Sequence, residues 1–141
     1  MKKGFTLIEL LITISIIAVL STIGLVIFQG AQAKARDSIR KQDLRTLATA
    51  LEIYYQKNSK YIENVTVCQT NPDISVNTFY SAIKDYINGQ TPTDPTSKQA
   101  YCYISSDGLN YTLCANLENT SDPDRNNPPS CSGYNYGVTP K

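Results

Sequence analysis

Lys2-Lys3-Gly4-Phe5-Thr6-Leu7-Ile8-Glu9-Leu10-Leu11 opens the chain and sets one carboxylate, Glu9, near the start of an otherwise apolar run that ends around Phe28. A charge deep in hydrocarbon costs about 2.5 to 3.5 kcal/mol even on lenient insertion scales, and charges that persist there usually have a partner. Glu9 lies near the end of the run, so its carboxylate can stretch toward the headgroups. It can also meet a cationic amine. A short cationic tail stops at Gly4 and an unbroken apolar helix begins at Phe5, so a cut after Gly4 would leave a new amine one helical turn from Glu9.

The apolar run is longer than the roughly 7 to 15 residues of a secretory signal core. Ala31-Gln32-Ala33 does offer a small-x-small cleavage site just beyond it, but a carboxylate inside the core is unfavourable for such a signal. A plain uncleaved anchor explains the length of the run and leaves the Gly-Phe junction and Glu9 unexplained. From Phe5 onward there is no proline until Pro72, so the apolar span is expected to continue as one helix to about Tyr55 or Lys57, close to 80 Å at 1.5 Å per residue. Past Lys34 the apolar residues thin to a stripe of Ile39, Leu47, Leu51 and Tyr54 or Tyr55, with Leu44 and Ala48 alongside. That spacing predicts a helix with one face covered by a domain. Gly24 and Gly30 weaken the helix by about 1 kcal/mol each relative to alanine, and an intact helix through both is the simpler reading.

The pattern Lys-Gly-Phe-Thr-Leu-Ile-Glu-Leu-Leu over residues 3–11 closely resembles the cleavage and methylation signature of type IV prepilins and type II secretion pseudopilins. The resemblance implies that Gly4 precedes the bond cut by a prepilin peptidase and that Phe5 is the new N-terminus, which the same enzyme methylates. It further implies that Glu9 pairs with the N-terminal amine of a neighbouring subunit. The chain is then the enzyme's substrate, and its implied partners are its own copies in a filament and an inner-membrane assembly platform with an ATPase. The implied division is a leader at 1–4, a transmembrane and filament-core helix at 5–33, and a globular head at 34–141 that includes the amphipathic half of the helix. The alternative class is a monomeric, single-pass, membrane-anchored extracytoplasmic binding domain.

In 141 residues, with about thirty spent on leader and span, there is room for one modest head. The chain has no histidine, which excludes imidazole catalysis and histidine-rich metal sites. No nucleophile sits beside a recognisable base, and no phosphate loop or zinc spacing occurs, so the reading is a structural protein rather than an enzyme. Loss of Lys2 and Lys3 with the leader would turn the formal charge of +1 slightly negative, which gives no hint of nucleic-acid affinity. Arg36, Arg40, Lys41 and Arg45 are interleaved with Asp37 and Asp43 and read as a solvated helix face, or as headgroup and subunit contacts.

Orientation carries a conflict. Basic residues after the span outnumber Lys2 and Lys3 before it, which would hold the head in the cytoplasm. Four cysteines in a small polar head argue for an oxidising compartment instead. The cysteines and the pilin resemblance together place the precursor in the inner membrane with its head outside the cytoplasm, and the assembled filament in the periplasm or beyond the cell.

Past Asn58 the chain reads as loop. Ser75 to Ile87, with Phe79, Ile83 and Tyr86 or Ile87 at helical spacing and a serine as cap, predicts a short helix ending at Asn88-Gly89. Ala100 to Leu117 predicts two strands around Asp107-Gly108, and Glu118 to Ser132, rich in Asn, Asp and Pro, a surface loop. These elements make the fold class α+β, and the resemblance implies a pilin-like arrangement of them, a long N-terminal helix packed against a small antiparallel sheet. Pro92-x-Asp94-Pro95, Tyr101-x-Tyr103, Asp107-Gly108, Tyr111-x-Leu113 and Leu117-Glu118 also resemble the layout of major pseudopilins and related short pilins.

Cys68, Cys102, Cys114 and Cys131 allow three pairings. A two-residue Asp107-Gly108 turn would set Cys102 opposite Leu113 and turn Cys114 to the other face. On that register Cys68 pairs with Cys102 and Cys114 with Cys131, the second bridge enclosing the polar loop much as the cysteine-bracketed region of many pilins does. Asp122, Asp124 and Asn126 alternate as calcium ligands can, and the major pseudopilin resemblance implies calcium in a C-terminal loop. Asn127 and Gly133 stand where an EF-hand loop needs glycine and a bidentate glutamate, so the expected metal and cofactor content is none. Asn64, Asn110 and Asn119 lie in Asn-x-Ser/Thr sequons, a pattern frequent enough to arise by chance. The ten tyrosines read as packing and surface residues.

Overall fold

The computed structural model describes residues 5–63, 65–68, 73, 77–87, 91–125 and 131–140, with the backbone alone at 25 and 26. Helix α1 runs unbroken from Leu7–Asn58, 52 residues or about 78 Å, and passes through Gly24 and Gly30 without interruption. It stops where Ser59 takes a left-handed conformation, φ 57°, and donates its N–H to Tyr55 O, closing the last turn as an αL cap does.

The two halves of α1 differ in what covers them. From Phe5 to Phe28 every described side chain is exposed, whereas Leu44, Leu47, Ala50 and Leu51 have at most 1% of their surface left. The buried face of the second half is Asp37, Arg40, Leu44, Leu47 and Leu51, spaced by three and four. Ile39, placed on that face by the sequence reading, is one step out of phase with Arg40 and remains 47% exposed. Two charged residues take the stripe where an apolar one was expected.

The head is a four-stranded antiparallel sheet in sequential order: β1 (Val65–Val67), β2 (Cys102–Ser105), β3 (Thr112–Ala115) and β4 (Tyr136–Val138). Helix α2 (Thr78–Ile83), continued by a 3₁₀ turn at Lys84–Tyr86, packs with α1 at one end of it. The α2 cap is Asn77, whose side chain accepts the N–H of Tyr80, and not a serine; the predicted ends at Ser75 and Asn88-Gly89 lie outside the described residues. The strands β1 and β4, three residues each, stand in segments read from sequence as loop or left unassigned.

The β2–β3 register also differs from expectation. Cys102 faces Cys114, Tyr103 faces Leu113 and Ile104 faces Thr112. The Asp107 carboxylate accepts the N–H groups of Leu109 and Asn110, and Ser105 donates its hydroxyl to Asn110 O. These side-chain bonds stabilise a longer connection than a two-residue turn. Gly108 sits in it at φ +69°, with its carbonyl taking the Tyr61 N–H at 2.8 Å. A shift of one residue moves side chains to the opposite face, so Cys102 and Cys114 share a face that the sequence reading divided.

That shared face carries a small cluster of Cys102, Cys114 and Cys131 with Cys68, Ile104 and Tyr134 around it. Disulfides join Cys68 to Cys102 and Cys114 to Cys131. The opposite face, with Tyr103, Leu113 and Ala115, meets Leu44, Leu47 and Leu51 of α1 together with Phe79, Tyr80 and Ile83 of α2 in the main core. Tyrosine hydroxyls at the edge of this core tie down loops: Tyr103 donates to Ile62 O, Tyr80 to Pro92 O and Tyr61 to Glu52.

Candidate functional site

Thr6 is the N-cap of α1, in an extended conformation with φ −83° and ψ 150°. Its N–H and its hydroxyl both donate to Glu9 Oε2, at 2.8 and 2.7 Å, and the hydroxyl oxygen accepts the Glu9 N–H. This is a capping box, in which each residue satisfies an orphan donor of the helix start. The Thr6-x-x-Glu9 spacing is itself a capping-box signature, so this local role of Glu9 is legible in the sequence beside its headgroup and amine readings. Phe5 precedes the cap and is 90% exposed. Phe5 and Glu9 thus lie within one turn of each other, and Gly4 lies outside the described residues.

Beyond the cap, α1 holds a window of mean hydropathy 2.7, long and apolar enough to cross a membrane, with none of it buried by the rest of the chain. The stretch from Leu7 to Phe28 is about 33 Å long, against about 30 Å for the hydrocarbon core of a bilayer. Three of its hydroxyls are paired within the helix: Thr13, Ser15 and Thr22 each donate back to the carbonyl three residues earlier.

The second half of α1 is fixed to the head by charge as well as by apolar packing. Arg40, 3% exposed, lies at 2.8 Å from Asp37, 2.7 Å from Asp94 and 2.7 Å from Glu118, and it also donates to Thr96. Burial works against the Arg40 charge, but the bonds to Asp94, Glu118 and Asp37 outweigh it and raise its pKa. Asp37 accepts Arg40 and the backbone N–H groups of Glu118 and Asn119. Asp94 is itself organised by the N–H groups of Thr96 and Ser97. Arg36 adds a second cation on Glu118, and these bonds, opposed by partial burial, hold the Glu118 carboxyl down at about 2. Among the described residues every buried side-chain nitrogen and oxygen has a partner.

Arg36, Arg40 and Lys41 are therefore head-docking groups, in place of the solvated face or headgroup contacts expected from sequence, whereas Arg45 lies on the exposed face as expected. Asp37 and Arg40 were missed as buried residues. Their signal was phase, since they continue the spacing of Leu44, Leu47 and Leu51. The acidic loop is held to the same helix: Lys41 Nζ lies 2.6 Å from Asp122 Oδ1 and 2.7 Å from Asp124 Oδ2. Arg40, Ala115, Leu117 and Tyr134 help to line a shallow cavity of about 280 Å³ beside this junction.

A helix apolar and unpacked over its first half, docked over its second half to a small disulfide-bonded antiparallel head, and opening on the Gly-Phe…Glu junction, is type IV pilin-like. Residues 1–25 match the family described as the prokaryotic N-terminal methylation motif. Over 60 residues the chain is 37% identical to the Type IV major pilin protein PilA of Myxococcus xanthus (strain DK1622), covering 43% of this chain and 27% of that relative. The match thus spans about a quarter of the relative's length. No solved structure matches the chain.

Proposed function

We propose that this chain is a structural subunit of a type IV pilus or secretion-pseudopilus filament, cut after Gly4 by a prepilin peptidase and methylated at Phe5. The observation that carries the reading is the unpacked apolar half of α1, rigidly continuous with a half that is docked to the head. In a bilayer this surface faces lipid; in a filament the same surface faces neighbouring copies. Lipid tails are as apolar as leucine, so little hydrophobic free energy separates the two states. Extraction from the membrane then needs external work, which an inner-membrane platform and its ATPase would supply.

Register between subunits needs a directional contact, and Glu9 is suited to provide one. A pair of unit charges 4 Å apart attracts with about 1 kcal/mol in water and about 4 kcal/mol at an effective dielectric of 20, so the pair strengthens as the helices bundle. Thr6 holds the carboxylate in place one turn from Phe5, ready for the amine of an incoming neighbour. The bridges Cys68–Cys102 and Cys114–Cys131 favour an oxidising compartment for the head, with the precursor spanning the inner membrane.

Intact mass and N-terminal sequencing of the protein from its native host test the processing step. Methylated Phe5 as the first residue is expected. An uncut Met1 would favour a membrane-anchored binding domain, and a start at Lys34 a secreted soluble one. In cells that make filaments, Glu9→Ala is expected to abolish incorporation of the subunit, and normal filaments would remove the pairing role from Glu9.

A further inference from the structure

Asp122, Asp124 and Asn126 are the alternating oxygens that the pseudopilin resemblance offers to calcium. Asn126 lies outside the described residues, and the geometry of the two aspartates does not fit that ion. Both carboxylates turn to one cation already present, the Lys41 ammonium, at 2.6 and 2.7 Å. Calcium takes six to eight oxygen ligands, and an ammonium between the two carboxylates both uses their lone pairs and repels a divalent charge. Among the described residues no group of three or more acidic, histidine or cysteine side chains gathers to hold a metal.

The loop is instead held to α1 over a single helical turn. Asp37 accepts the backbone N–H groups of Glu118 and Asn119, and Lys41, four residues on, donates to Asp122 and Asp124. The loop's own turn positions the two carboxylates: Asp124 N–H donates to Asp122 Oδ1 at 3.0 Å, and Arg125 N–H to Asp122 O at 3.2 Å. Lys41 is well covered, with 18% of its side chain accessible and the Tyr136 ring 5.7 Å from Nζ. The cation that organises this loop is covalently part of the long helix.

We propose that Lys41 is the resident cation of residues 118–125 of the C-terminal loop, doing for this chain what a divalent metal would otherwise do, so that the order of that stretch is independent of calcium. The Lys41 pKa is raised, its bonds to Asp122 and Asp124 outweighing the effect of burial, so the cation stays charged at any physiological pH. The proposal concerns the head alone and stands whether or not the chain polymerises.

The test uses the full chain in detergent. For the wild type, calorimetric titration with calcium chloride is expected to give no binding heat, and the melting temperature is expected to be the same in EDTA and in calcium. Calcium heat, or a melting temperature raised by calcium, would overturn the proposal. Hydrogen exchange read by mass spectrometry over 119–125 tests the tether: Lys41→Met is expected to speed exchange roughly five- to tenfold, the loss of one partly covered ion pair, to Asp122, and one exposed pair, to Asp124. Lys41→Arg, which keeps the charge, is expected to stay near the wild-type rate. Unchanged exchange in Lys41→Met, or equal acceleration in both variants, would refute the role of the ammonium.

Discussion

Replacing Arg40 by methionine removes the charge at the centre of the helix–head junction while keeping much of the side chain's volume. Three carboxylates lose a partner, with side-chain exposures of 2% for Asp37, 17% for Asp94 and 32% for Glu118. Breaking a buried pair by removing one member costs about 3 to 5 kcal/mol, because the other charge is left without compensation. Here the lower end applies, since each carboxylate keeps a second donor: Asp37 the N–H groups of Glu118 and Asn119, Asp94 those of Thr96 and Ser97, and Glu118 the Arg36 guanidinium. For a head of roughly a hundred residues, about 3 kcal/mol lowers the melting temperature by roughly 12 to 24 °C. Near-UV circular dichroism of the detergent-solubilised chain reads this directly, because α1 outside the head dominates the far-UV signal. Arg36→Met is the control, since its pair with Glu118 is about one-third exposed at both ends and such surface pairs contribute at most about 1 kcal/mol. Equal losses in the two variants, or a loss below about 1 kcal/mol for Arg40→Met, would refute the argument from burial.

The depressed Glu118 carboxyl makes head stability sensitive to acid. Its folded pKa of about 2 lies below the ordinary 4.5, so its contribution is complete above about 4.5 and is lost as pH falls toward 2. Asp94, whose bonds to Arg40 overcome burial, and Asp122, held by Lys41, are lowered in the same direction; Glu118→Gln is expected to flatten the melting-temperature profile over that window, and an unchanged slope would remove Glu118 from the account. The Cys114–Cys131 bridge closes a separation of 17 residues and Cys68–Cys102 one of 34, contributions of about 3 and about 4 kcal/mol on the chain-entropy model. Since Cys102 and Cys114 face each other across β2 and β3, a non-reducing peptide map linking those two would show the alternative pairing; the expected map links Cys68 to Cys102, with Cys114→Ser/Cys131→Ser melting well below the wild type.

Much of this protein is written in local sequence, and the elements that were legible share that property. The long apolar run, the absence of proline before Pro72 and the Gly4-Phe5…Glu9 junction define α1 and its membrane-compatible half without reference to the rest of the chain, because a helix bonds residues only four apart. Leu44, Leu47 and Leu51 announced a covered face by spacing alone. The strands β1 and β4 were not legible: three residues carry too little alternation to register, and their hydrogen bonds go to β2 and β3, tens of residues away. The β2–β3 pairing was visible as a hairpin, yet its register depended on Asp107 and Ser105 capping a longer turn, and with it the face on which Cys114 sits.

The charged residues show the same division. Sequence determined that Arg36, Arg40 and Lys41 follow the span, and on a helix alone they read as a solvated surface. Only the folded head, bringing Asp94, Glu118, Asp122 and Asp124 against that surface, decided that Arg40 is buried and that Lys41 holds a loop. Glu9 is the opposite case, since its partner Thr6 is three residues away and the capping box follows from local spacing. A helix and its cap are short-range structures that a sequence specifies by itself, whereas burial of a charge depends on what packs over it, and that is settled only when distant segments meet.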